Sequence, residues 1–318
     1  MGCKFVWLMT KIWKYTFAVL LLGVAVVWLN FAQTSSRPKI IGCDVGQGDA
    51  FLVVNGGDQI LIDGGLPNGK AVDCLSRHLP PFDRTIEVVI LTHPDLDHYG
   101  GLIEVLKRYD VELLVANSLN SSSPDYKVLK KEVGGRGIKV LSPNEGTDIR
   151  IGLMYLDILW PTQQFLAENL QEPQYISDQA HLGTQGESLR AQNDKREVLG
   201  TTTSKKDPNN FSVVVLLSLG EYDALFTGDV GPSVSDKIAD IMASNQMGTV
   251  EYIKVPHHGS KNGMTEKLLQ KLQPKVAVIS AGKGNRYGHP HKEILQILEK
   301  YEVEVHGTYE EGDVVVSW

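Results

Sequence analysis

Short apolar bursts, each closed by a polar or glycine-rich turn, fill the chain from residue 39 onward. Their length and β-branched content predict strands over 39–45, 51–54 and 59–62, the last two joined by the hairpin signal Asn55-Gly56-Gly57-Asp58. Further strands are predicted over 86–91, 112–116, 139–141, 154–160, 251–255, 276–280, 304–307 and 314–318. A hairpin pairs 212–219 with 223–226 around Gly220-Glu221. Helical spacing falls between them, over 71–78, 233–242, 265–272 and 292–301, and over 100–109, where Leu102, Val105 and Leu106 share a face. Strands alternating with helices predict an α/β framework.

Two stretches break this texture. From Tyr15 to Ala32 the chain is uncharged and strongly apolar for 18 positions. As a helix that run reaches about 27 Å, enough to cross a hydrocarbon core. Trp7, Trp13, Tyr15 and Trp28 suit the interfaces, and Lys4, Lys11 and Lys14 favour an inside N-terminus. A cleaved signal peptide is the rival, but its cleavage pattern would have to rest on Asn30 and Ala32. The expectation is therefore a transmembrane anchor over 1–33, a linker over 34–38 and a body over 39–318 outside the cytoplasm. The second stretch, 163–209, is rich in Gln, Asn, Ser, Thr and charge and has no sustained period. It reads as a disordered insertion.

A formal net charge of −7 argues against a protein that coats nucleic acid by bulk charge. It leaves room for an enzyme whose metal ions meet a phosphate. The three cysteines, Cys3, Cys43 and Cys74, lie far apart without C-x-x-C spacing, so neither a disulfide framework nor a zinc knuckle is expected. Cys43, on an apolar strand, reads as a small core residue.

The densest chemistry follows the strand at 86–91. His93-Pro94-Asp95-Leu96-Asp97-His98 packs two imidazoles and two carboxylates into six residues, ahead of Gly100-Gly101. Crowded together, those groups would raise one another's desolvation cost and the carboxylates would repel. A divalent cation removes both problems. Other strand ends carry Asp63, Asp229, the His257-His258 pair and the His289 to His291 turn.

In order, the chain shows Asp-Val-Gly-Gln-Gly-Asp-Ala, Asp-Gly-Gly, Leu-Thr-His-x-Asp-x-Asp-His-x-Gly-Gly, Phe-Thr-Gly-Asp, Val-Pro-His-His-Gly-Ser and Tyr-Gly-His-Pro. It resembles the metallo-β-lactamase superfamily, specifically the extracytoplasmic hydrolase domain of ComEC-type DNA-uptake proteins. The resemblance implies an αββα sandwich holding two divalent metal ions, zinc or manganese. His93 and Asp95 would bind one ion, Asp97 and His98 the other, with Asp229 between them and His289 as a late-chain ligand. Of His257 and His258, one would complete a metal shell and the other contact a substrate phosphate or protonate the leaving group. Asp97, His257 and His258 are the expected catalytic residues. Asp63 would stand behind a histidine and orient it. Where relatives usually supply another histidine, this chain has Asn209-Asn210. Oxygen from Asn210 and Asp95 would favour manganese; His181, in the insertion, reads as a solvated loop histidine that could substitute only if the loop folded back.

Residues 251–293 hold eight Lys or Arg against three Glu, and Lys261, Lys283 and Arg286 sit beside the active-site turns as candidates for substrate phosphate. The expected function is a membrane-anchored phosphodiesterase or nuclease acting on extracytoplasmic DNA, served by a separate DNA-uptake channel. The alternatives are a small-molecule hydrolase, such as a phosphorylcholine esterase or a lactonase, and a non-catalytic metal- or nucleic-acid-binding relative.

Overall fold

The computed structural model describes residues 13–26, 28, 37–171 and 199–318. The first sheet contains β1 (Lys39–Gly42), β2 (Phe51–Asn55), β3 (Asp58–Ile62), β4 (Thr85–Leu91), β5 (Asp110–Ala116) and β6 (Lys139–Leu141). The second contains β7 (Asp148–Ile151), β8 (Met154–Trp160), β9 (Val214–Leu219), β10 (Tyr222–Phe226), β11 (Tyr252–Lys254), β12 (Val276–Ile279) and β13 (Glu304–Gly307). The last strand, β14 (Val314–Ser317), returns to the first sheet and pairs with β1. Each sheet has seven strands, ordered β14-β1-β2-β3-β4-β5-β6 and β13-β12-β11-β10-β9-β8-β7. In both, an antiparallel half gives way to a parallel one: β3 through β6, and β10 through β13.

Period-two alternation explains the layering. Ile40, Phe51, Val53, Ile60, Ile62, Val88 and Ile90 meet Leu156, Ile158, Val215, Leu217, Phe226 and Val278 between the sheets. Their neighbours Ile41, Leu52, Leu61 and Val89 face outward, under helices Lys70–His78, Leu102–Arg108 and Pro124–Arg136. Helices Pro232–Ser244, Glu266–Leu272 and Lys292–Lys300 cover the second sheet in the same way. The result is the αββα order expected. It places the parallel strand ends of both sheets along one edge.

Several expectations change. The helix predicted over 100–109 forms as Leu102–Arg108, and a short helix that was not expected, Leu96–Tyr99, precedes it. Gly101 lies between them, where a Cβ would come within 2.0 Å of the Gly64 carbonyl oxygen. Helix Pro124–Arg136 was not predicted, its apolar contacts being only Tyr126, Leu129 and Val133; Ser123 caps it and Gly137 ends it. The insertion is ordered at both ends. Gln163–Asn169 is a helix, Leu199 is buried in the core, and Pro208–Phe211 is a 3₁₀ turn, whereas 172–198 lie outside the described residues.

Cys43 and Cys74 are disulfide-bonded, contrary to expectation. Helix Lys70–His78 lies across the end of β1 and brings the two Cα atoms to 5.8 Å, within bonding reach although 31 residues separate them in sequence. Residues 13–26 and 28 are helical and exposed, and among the described residues no helix is long and apolar enough to cross a membrane. The rest of the expected span lies outside them.

Candidate metal centre

Six chain segments converge on the common sheet edge. The exit of β3 carries Asp63; that of β4 carries Thr92 and His93, and the following turn of helix carries Asp97 and His98. From the second sheet come Asp229 after β10, Lys254 on β11, and His257 and His258 in the 3₁₀ turn Pro256–Gly259. The sixth is the glycine-rich β1–β2 loop, which brings Asp49. It docks on the histidine motif so closely that a Cβ at Gly48 would lie 1.8 Å from the Asp97 carbonyl oxygen. Asp63, His257 and His258 all have left-handed backbones, with φ of 58°, 51° and 54°. Such conformations cost energy in non-glycine residues and persist where the surroundings hold them.

Three buried imidazoles are oriented alike. His98 Nδ1 lies 2.8 Å from Asp63 Oδ2, His258 Nδ1 3.0 Å from the Ser280 carbonyl, and His93 Nδ1 3.1 Å from Thr92 Oγ1. Thr92 Oγ1 itself donates to Asp63 Oδ2 at 2.7 Å, so its lone pair is left to accept from His93. Each ring thereby turns its Nε2 inward, and none of these three buried Nε2 atoms makes a well-aligned hydrogen bond. Around them stands Asp229, whose Oδ2 is 3.0 Å from His258 Nε2 and 3.4 Å from His98 Nε2. Outer nitrogens fixed by acceptors and inner nitrogens presented together are the usual arrangement around a bound metal. His93, His98 and Asp229 form one group able to hold an ion, and Asp97, His98 and His258 another.

The electrostatics agree. Burial opposes charge on His98, but Asp229 and Asp63 outweigh it and raise its pKa well above the ordinary value. His258 is lifted to about 10, against burial, by Asp229 and Asp49. Imidazoles that hold protons this tightly report an excess of negative charge, which a divalent cation would satisfy. Burial, with the neighbouring His98, depresses His93.

Asp49 and Lys254 were not among the predicted site residues. Lys254 is 1% exposed; its ammonium donates to the Gly228 carbonyl at 2.6 Å and to Asp229 Oδ1 at 3.1 Å, and pairs with Asp49. It thus holds one oxygen of Asp229 and leaves the other to the histidines. Asp49 reaches His258 Nδ1 at 3.2 Å. Its pKa falls to about 2, because Lys254 and His258 overcome burial. The available signals were Asp49 in the Gly-Gln-Gly-Asp motif and a lysine interrupting the apolar strand at 251–255. Ser212 was also missed. Its Oγ lies 3.3 Å from His93 Nδ1 and accepts from the Asp229 amide.

Of the predicted ligands, His93, His98, Asp97, His258 and Asp229 come together, with Asp63 directly behind His98. Asp95 is at the margin, 3.7 Å from His93 Nε2, with its pKa pushed up to about 6 by burial. His289 stands off, its ring centre 6.3 Å from that of His258, and belongs to none of the ligand groups among the described residues. Entering on the loop between β12 and helix Lys292–Lys300, it packs against His257 at 5.9 Å instead. The backbone carbonyl of Asn210 accepts from Trp160 Nε1, and two residues on Ser212 lies beside His93. Arg286 lines a cleft with Asp97, whereas Lys261 and Lys283 are exposed on adjoining turns. His181 lies outside the described residues.

The profile of the metallo-beta-lactamase superfamily matches residues 43–164, from the turn after β1 to just past β8. The chain has a metallo-β-lactamase fold. It is 26% identical over 298 residues to ComE operon protein 3 of Bacillus subtilis, covering 88% of this chain and 33% of that protein. It is also 26% identical over 309 residues to Recombination protein 2 of Haemophilus influenzae, covering 96% of this chain and 32% of that protein. The chain therefore spans about a third of the length of these relatives. Solved structures of the same fold include YhfI from Bacillus subtilis, with a TM-score of 0.53 over 89% of this chain and 100% of that one, at 10% identity. Igni18 from Ignicoccus hospitalis, a metallo hydrolase, matches at a TM-score of 0.51 over 88% of this chain and 99% of that one, at 12% identity. These two speak to the fold alone. The superfamily match and the buried histidine–carboxylate cluster both point to a metal site at this edge of the fold.

Proposed function

We propose that this chain is a membrane-anchored, metal-dependent phosphodiesterase that cleaves DNA outside the cytoplasm. The observation that carries the reading is the set of three buried Nε2 atoms, of His93, His98 and His258, oriented from behind and gathered about Asp229. His93, Asp95, Asp97, His98, Asp229 and His258 would hold zinc or manganese, in one site or two. When bound, the metal would polarise the phosphodiester and make water nucleophilic at neutral pH.

The remaining work falls to the chain itself. Lys254 fixes Asp229 through one oxygen, and Asp63 fixes the His98 ring. His258 has both nitrogens committed to the cluster, so we assign substrate contact and protonation of the leaving oxygen to His257, which is only partly buried beside it. Similarity to the two proteins named above favours DNA among phosphodiesters. The Cys43–Cys74 disulfide suits an oxidising compartment, and the apolar run Tyr15 to Ala32 suits an anchor delivering the domain there.

The test uses the full chain stripped of metal, given manganese, zinc or magnesium, with single- and double-stranded DNA and bis(p-nitrophenyl) phosphate as substrates. Metal-dependent DNA cleavage, lost in Asp97→Ala, is expected. Cleavage of the small ester alone would replace DNA by a small phosphodiester. Bound metal without any cleavage would overturn the enzyme reading.

A further inference from the structure

Beside the metal centre opens a cleft of about 460 Å³ whose lining differs in character from the centre itself. Its floor is Asp97, which accepts from Gln47 Nε2 at 3.4 Å and lies 3.8 Å from His258 Nε2. Leu66, Leu96 and Tyr287 give the cleft apolar and aromatic walls, and Asn285 and Arg286 complete the lining. Leu96 is 38% exposed and Tyr287 48% exposed, so both present surface that a ligand in the cleft would cover.

The aromatic wall is braced. Asn285 Oδ1 accepts from the amides of both Tyr287 and His289, and Asn285 Nδ2 donates to the carbonyls of Gly282 and His289. Tyr287 stacks on His289 with ring centres 5.7 Å apart and planes 22° apart. The Arg286 guanidinium lies 5.0 Å from the Tyr287 ring centre and donates to its hydroxyl at 2.8 Å. Arg286 has no carboxylate partner among the described residues, so its charge is available to an anion.

A bare phosphodiester backbone has no flat apolar surface to offer such walls. A nucleobase does, and it carries a phosphate within reach of a guanidinium. We propose that this cleft is a nucleobase subsite: it takes one unstacked base of single-stranded DNA against Tyr287 and Leu96, with Arg286 on the adjoining phosphate. The inference rests on the phosphodiesterase reading and deepens it. A base held inside a duplex stack presents only its edge and cannot enter. The subsite therefore selects single strands or frayed ends without reading their sequence, since every base has a π-face.

The experiment compares a single-stranded oligonucleotide with one of equal length whose sugars lack bases, in the full chain with manganese. Loss of one base–aromatic stack corresponds to about 5- to 150-fold. Wild type should prefer the base-bearing strand by that factor in KM. The preference should fall to near unity in Tyr287→Ala and persist in Tyr287→Trp. Equal wild-type use of both strands would overturn the subsite while leaving the phosphodiesterase reading intact. So would a Tyr287→Ala loss equal on both strands, since Tyr287 would then act only by supporting His289. If neither strand is cleaved, the phosphodiesterase reading fails, and binding of a strand carrying terminal 2-aminopurine still decides the subsite. Fluorescence quenching abolished by Tyr287→Ala would support it, and quenching indifferent to that change would overturn it.

Discussion

Lys254→Met removes a buried cation and keeps nearly all of its apolar stem. The ammonium it deletes pairs with Asp49 and Asp229, which are 1% and 4% exposed. Leaving a buried charge unpaired costs about 3–5 kcal/mol. Asp229 keeps the imidazoles of His98 and His258, and Asp49 keeps that of His258, so neither carboxylate is left without a partner. That places the expectation near the lower end, about 3 kcal/mol. Urea unfolding of the metal-free full chain at neutral pH would measure it. Asp49→Asn combined with Lys254→Met removes one carboxylate of the pair together with the cation. The double variant should therefore be more stable than additivity of the single changes predicts, by about 1–2 kcal/mol. A loss below about 1 kcal/mol for Lys254→Met, or strict additivity, would refute the claim that Lys254 is the internal counter-charge of this cluster.

Four further outcomes are expected. Reducing the Cys43–Cys74 bridge, or replacing both residues by serine, should cost about 3.5–4 kcal/mol for a closed loop of 31 residues, read from denaturation midpoints with and without reductant. Gly48→Ala should cost more than about 2 kcal/mol, because its Cβ would meet the Asp97 carbonyl at 1.8 Å with φ at +103°. Gly56→Ala, in an open hairpin turn with φ of +64°, should cost only about 1 kcal/mol in the same unfolding assay. Asp63→Asn leaves His98 without its orienting carboxylate and should weaken metal affinity about 10- to 100-fold by competition with a chelator.

What the amino-acid sequence determined by itself is the local content of the fold and the core of the site. Alternating apolar positions on β1 to β4 dictate which side chains lie between the sheets, because a strand turns successive residues to opposite faces. His93, Asp97 and His98 were legible because one strand and one turn carry them within six residues. Asp63 and Asp229 were legible as polar residues at the ends of apolar strands. Tertiary structure decided the rest, since each remaining partnership joins segments far apart in the chain. Lys254 belongs to the site only because β11 lies beside β10, which brings it under Asp229. Ser212 meets His93 because their separation of 119 residues closes only when the two sheets face each other. His257 and His258 look equivalent in sequence. The left-handed turn that holds them sends one ring into the cluster and leaves the other at its margin. Cys43 and Cys74 pair for the same reason: a helix packed across a strand end sets their distance, and no spacing rule along the chain encodes it.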